Sequence, residues 1–221
     1  MLDQPIHPCA RFAVVALTGA SLWLTTGCST LQLMGTPVGH GTHARVGTAS
    51  AAGGPTRDRV HQILEDRAPS LEDRDLQRVT DAIFSAQQEH GLEPALLLAL
   101  MQVESGFNPS ARSSQGALGL MQVQPFSGQL MARELGITWR GKSTLLDPEQ
   151  NIRIGAAYLA RMHETFRDLE LSLAAYNVGP GRLQEILEGG KRPTGVYARK
   201  VQSKQAEIAS LAGPADSAAL P

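Results

Sequence analysis

From about residue 57 to residue 211 the apolar residues keep a helical rhythm, interrupted once. Val60, Ile63 and Leu64 share one face of a short amphipathic helix, RDRVHQILEDR. Leu76, Val79, Ile83 and Ala86 do the same in LQRVTDAIFSAQQEHG. There Ser70 and Asp73 make a capping-box pattern, and Gly91 supplies the stop. The next segment, PALLLALMQVES (Pro94 to Ser105), is apolar nearly all round, which predicts a central, buried helix with a proline in its first turn. The rhythm fails between Asn108 and Gln124, NPSARSSQGALGLMQVQ, where loops and short extended pieces are expected. Helices resume at about Phe126–Leu135, Pro148–Phe166, Leu169–Tyr176, Gly181–Leu187 and Val196–Leu211. In the second of these, Ile152, Gly155, Ala156 and Leu159 form a face suited to close packing. The expected fold is mainly α, with one small irregular or β-like lobe after the third helix.

The ends of the chain break the rhythm differently. Arg11 precedes Phe12 to Leu24, FAVVALTGASLWL, an apolar run of signal-peptide length and short for a membrane span. LTTGCS follows, and the small residues before Cys28 resemble the lipobox of bacterial lipoproteins, although Thr25 stands where that motif usually has Leu. By that resemblance residues 1–27 are a signal peptide and Cys28 is the lipidated terminus. A plain secretory peptide cut near Thr26 or Gly27, or an uncleaved anchor, are the alternatives. Ser29 after Cys28 is in keeping with a lipoprotein sent to the outer membrane and facing the periplasm. Residues 28–56, rich in Gly, Thr and Ala, read as a flexible tether, residues 57–211 as the folded domain, and residues 212–221 as a disordered tail.

Composition removes several function classes. The formal net charge is -1 and no basic run is present, so no nucleic-acid partner is expected. The two cysteines, Cys9 and Cys28, both precede the folded part and can staple no core. His40 and His43 lie in an acid-free segment of the tether and read as solvated side chains, so neither metal nor cofactor is expected.

One residue contradicts its surroundings. Glu104 sits in the last turn of the most apolar helix, where burial and the negative end of the helix dipole both disfavour its charge. Such a carboxyl holds its proton toward neutral pH, as a general acid must. Ser105-Gly106 breaks the helix just beyond it, and GALGLMQ (Gly116 to Gln122) lets backbone approach a ligand closely. AYNVGPG (Ala175 to Gly181) ends a later helix abruptly and presents Tyr176 and Asn177 at a turn. Taken alone, Glu104 reads as a buried partner of an arginine such as Arg112.

ESGFNPSARSSQGALGLMQVQP, followed at a distance by AYNVGPG, resembles the family 1 lytic transglycosylases of the soluble type, relatives of goose-type lysozymes. GLEPALLLALMQVESGFNP and LLDPEQNIRIGAAYLARM resemble the flanking helices of that family, and the likeness runs over roughly residues 81–201. It implies a lysozyme-like α+β fold with a small β-containing lobe beside a glycan-binding cleft. The implied substrate is the glycan strand of peptidoglycan, cut between N-acetylmuramic acid and N-acetylglucosamine to leave 1,6-anhydromuramyl ends. Carried over by position, Glu104 is the general acid and then the general base. Ser113 orients the substrate or the acid, Gln122 lines the cleft, and Tyr176 with Asn177 forms the AYN pair. Tyr197 matches the tyrosine of the family's last helix, while Pro193 stands near the place of a glutamate that many relatives carry.

Ordinary glycosidases need two carboxylates across the scissile bond. Between Glu104 and Glu134 this sequence has none. A single acid accords with the implied reaction, in which the substrate's own hydroxyl displaces the leaving group. The alternatives are a goose-lysozyme-like hydrolase of the same bond and a non-catalytic peptidoglycan-binding lipoprotein.

Overall fold

Apolar spacing sets the order of elements. The computed structural model describes residues 54–211. Helix follows helix through them: α1 (Arg57–Arg67), α2 (Asp73–His90), α3 (Pro94–Ser105), α4 (Pro125–Glu134), α5 (Lys142–Leu146), α6 (Pro148–Phe166), α7 (Leu169–Val178), α8 (Pro180–Glu188) and α9 (Val196–Leu211). The signal peptide, Cys28, most of the tether and the tail lie outside the described residues. No helix among the described residues is long and apolar enough to cross a membrane.

Side-chain caps fix several helix starts. Thr56 accepts from the Arg59 amide before α1, Asp147 from the Gln150 amide at α6, and Asp168 from the Leu171 amide at α7. The expected capping box at α2 does not form. The helix begins only at Asp73, so Glu72 rather than Ser70 occupies the N-cap, and it makes no side-chain cap bond. Helix α5 was not anticipated. Its KSTLL is too short to show a period, and tertiary burial of Thr144 and Leu145 holds it.

Helix α3 is buried over most of its length. Leu96 to Met101 are all inaccessible to solvent, as an apolar surface on every face requires. Helices α2 and α9 pack against α3, and α6 packs against α2 and α7, so that one continuous core runs from Val60 to Ile208.

The lobe between α3 and α4 is irregular. Among the described residues its only β pairing is two isolated antiparallel bridges, Arg112 with Leu118 and Leu118 with Val123. A lobe with so little ladder needs other support, and α6 provides it. Asn151, fully buried, accepts from the Met121 amide at 2.8 Å. Its own amide donates to the carbonyls of Leu118 and Leu145, at 2.9 and 2.8 Å. Gly119 makes this approach possible: at φ +77°, a Cβ there would stand 2.4 Å from both Asn151 Nδ2 and the Leu145 oxygen.

Candidate active site

The end of α3 is built to present one side chain. Gly106, at φ 59°, adopts the left-handed conformation, and its amide and that of Phe107 turn back to the carbonyls of Gln102 and Met101. The five-to-one bond from Gly106 to Gln102 makes this an αL-type stop, with Phe107 buried beneath it. The Ser105 hydroxyl contacts the carbonyls of Met101 and Leu120, at 3.0 and 2.8 Å, joining the helix end to the GLMQ segment. Glu104 is therefore held in the last turn, next to the lobe and largely buried.

Its partner comes from the other end of the fold. The Tyr197 hydroxyl, on the first turn of α9, donates to Glu104 Oε1. Burial pushes the Glu104 carboxyl above its ordinary value, while the Tyr197 bond and then the Lys200 ammonium pull against that rise. The Tyr197 phenol is itself pushed far up by burial and by the Glu104 charge, so it stays a donor. Arg112, the alternative partner, is exposed and does not pair with Glu104.

Tyr176 lies beside this pair. Its hydroxyl donates to the Met121 carbonyl at 2.7 Å, and its ring tilts against Tyr158 with centroids 5.5 Å apart. Burial first, and the Glu104 charge second, push the Tyr176 phenol well up. Gln122 sits at φ 48°, a left-handed conformation that a non-glycine residue rarely adopts. Its side-chain amide donates to the carbonyls of Gly119 and Ala111, at 2.9 and 3.2 Å, so it shapes the loop from within. The Ser113 oxygen accepts from the Ala117 amide at 3.0 Å across the tight turn of the lobe. Asn177 stands exposed at the end of α7. The structure thus gathers Glu104, Tyr197, Tyr176 and the GLMQ backbone, and it gives Ser113 and Gln122 loop-shaping bonds.

Tyr197 is the residue that local sequence reading passes over. Nothing near it is unusual, and its partner is 93 positions away. Its match to the last-helix tyrosine was the available signal. Pro193, in the stretch before α9, is half-buried, and this stretch is fixed instead by Arg199, which donates to the Thr194 carbonyl at 3.1 Å.

No second carboxylate is among the groups acting on Glu104. The next acids after it along the chain are engaged elsewhere, Glu134 with Arg161 and Asp147 with Arg78, and Glu93 before it accepts from Gln205. Among the described residues no cluster of His, Cys, Asp and Glu could hold a metal. Two surface concavities, of about 380 Å³ beside α1 and α2 and about 480 Å³ beside α4 to α6, are lined by none of Glu104, Tyr176, Tyr197, Ser113, Gln122 and Asn177. Chemistry, rather than volume, marks the site.

The chain is similar to several known proteins. The model of the transglycosylase SLT domain matches residues 81–194. The chain is 32% identical over 142 residues to the membrane-bound lytic murein transglycosylase C of Shigella sonnei (strain Ss046), a match covering 60% of this chain and 40% of that one. It is 34% identical over 143 residues to the protein of that name from Edwardsiella ictaluri (strain 93-146), with the same coverage. The matched part thus spans about 40% of the length of these relatives. Among solved structures it is similar to an inactive mutant of the lytic transglycosylase Slt from Pseudomonas aeruginosa, at 27% identity and a TM-score of 0.47, covering 68% of this chain and 26% of that one.

Proposed function

The chain belongs to the transglycosylase SLT domain family, and from that premise we propose that it is a peptidoglycan lytic transglycosylase with Glu104 as its single acid and base. The observation that carries this reading is the Glu104 carboxyl: largely buried, raised above its ordinary value, and bonded to one neutral phenol instead of a cation or a second acid.

Two opposed influences on one group suit a two-stroke reaction. Burial favours the protonated form of Glu104, which can donate to the glycosidic oxygen between N-acetylmuramic acid and N-acetylglucosamine. The C1–O bond breaks, the leaving sugar keeps the proton, and the N-acetyl group of the substrate steadies the cation at C1. The Tyr197 hydroxyl stabilises the carboxylate so formed. Glu104 then takes the proton of the muramyl C6 hydroxyl, whose oxygen closes on C1 to give the 1,6-anhydro end. The acid is regenerated and no water is consumed. A tethered nucleophile also gains the entropic advantage of an intramolecular reaction. The rigid floor around Gln122 and Met121, clamped by Asn151, suits the seating of an extended sugar chain.

Mass spectrometry of muropeptides released from purified sacculi tests this directly. Anhydro ends made by the wild type and absent with Glu104→Gln are the expected result. Reducing ends would replace the reading with hydrolysis, and intact sacculi would leave a glycan-binding protein.

We further propose that the enzyme is exported and anchored through Cys28 at the outer membrane, with its domain in the periplasm. The lipobox-like LTTGCS supports this, as do relatives named membrane-bound. Cys28→Ala is expected to release an active enzyme from membranes; a variant that stays bound would refute the lipid anchor.

A further inference from the structure

Large apolar side chains left in solvent are not scattered evenly over the described residues. Phe126 is 74% exposed, Val196 61%, Val178 44% and Leu130 43%, with Leu211 the remaining one. Val178 follows Tyr176 by two positions, Val196 precedes Tyr197, and Phe126 lies in the first turn of the helix that leaves the GLMQ segment. Single exposed apolar residues need no explanation, but a set gathered on the segments that build one site does.

Phe126 and Leu130 are the substantial pair. They stand one helical turn apart on the same face of α4. Their base is rigid. Pro125 fixes the first turn, and the Ser127 side chain lies against the Tyr158 phenol. The Tyr158 ring in turn packs on Tyr176, which is bonded to Met121. Phe126 thus adjoins a residue that is tied through Tyr158 to Tyr176, beside Glu104. Among extended polymers, a glycan suits such a ring, because a pyranose has an apolar face of C–H groups and a polar rim. The acetamido methyls of such a strand match a leucine one turn away.

We propose that Phe126 and Leu130 form a saccharide-stacking shelf that continues the cleft and holds a sugar unit beyond those at Glu104. The shelf rests on the reading of the cleft as a glycan site, and it adds to that reading a preference for longer strands. Because the ring contacts only a distal unit, its removal weakens binding of long ligands and spares short ones.

The test uses the full chain in a Glu104→Gln background, so the ligand is not cut. Its binding to N-acetylglucosamine oligomers of increasing length is followed by calorimetry. Phe126→Ala is expected to weaken the longer oligomers about fivefold or more, as loss of an aromatic anchor does. Affinity for the shortest oligomer that binds stays unchanged, and Phe126→Tyr keeps the full length dependence. Equal weakening at every length would make Phe126 a structural support and overturn the shelf. No weakening at any length would assign the face to another occupant, such as the chain's own N-terminal segment or a second copy, and overturn it too. If the parent protein binds no oligomer at all, the glycan cleft itself falls. Binding without cleavage of sacculi by the wild type removes only the catalytic reading.

Discussion

Glutamine in place of Glu104 removes the proton that the proposed reaction transfers and also relieves a burden on the fold. Burial raises the carboxyl in the native state, so the folded protein binds that proton more tightly than the unfolded chain does. For a raised group the associated stability is present below the unfolded value and is lost as pH rises through the folded one. Above the unfolded value the buried carboxyl therefore costs the fold stability, and Glu104→Gln is expected to raise the melting temperature at neutral pH while abolishing activity. The gain should shrink toward acid pH; a variant that melts lower at neutral pH would contradict this. Tyr197→Phe tests the opposite influence. Without that hydroxyl the charged form of Glu104 loses a bond worth roughly 1.5–3 kcal/mol, so the acid form persists to higher pH. The alkaline limb of the activity profile moves upward and the second proton transfer suffers, with activity expected to fall about 10- to 100-fold. An unchanged profile would separate Tyr197 from the chemistry.

Elements carry the next layer of constraint, and Asn151 is where they meet. This one side chain on α6 makes three buried hydrogen bonds to backbone in the GLMQ lobe and at the end of α5. Asn151→Ala strands an amide and two carbonyls, and is expected to cost about 2–4 kcal/mol by urea denaturation. Activity should fall further than the loss of folded protein explains, because the lobe loosens before the helices part. Gly119→Ala should resemble it, since its Cβ would collide with Asn151 and would sit at positive φ. The helices themselves were legible in the sequence because each carries several apolar residues at one period. So was Glu104, whose charge contradicts such a period. Asn151 was not, for a buried asparagine between Gln150 and Ile152 looks like any polar helix position until its distant partners are known. The loop-shaping bonds of Gln122 and Ser113 were hidden for the same reason, as they depend on which carbonyls and amides the turn brings near.

Over the whole molecule, long-range polar links stand apart from the core. Arg78 on α2 joins Asp75 to Asp147 and Glu149, two acids at the start of α6, with contacts of 2.8–2.9 Å. These three carboxylates sit at helix N-termini, which suits them electrostatically, but without the guanidinium they repel one another. Arg78→Met is therefore expected to cost about 1–2 kcal/mol and to narrow its gap from wild type at high salt. A salt-independent difference would point to packing of the arginine stem instead. The same distance between partners has a consequence in time. A chain emerging from synthesis completes α3 and the GLMQ lobe well before α9, and until α9 docks, Glu104 has neither the phenol of Tyr197 nor the cover that buries it. An acid in that state is an ordinary solvated carboxylate, ionised at neutral pH. On the proposed reading the acid is thereby unarmed while the chain is being made, and the last helix to arrive sets the trigger.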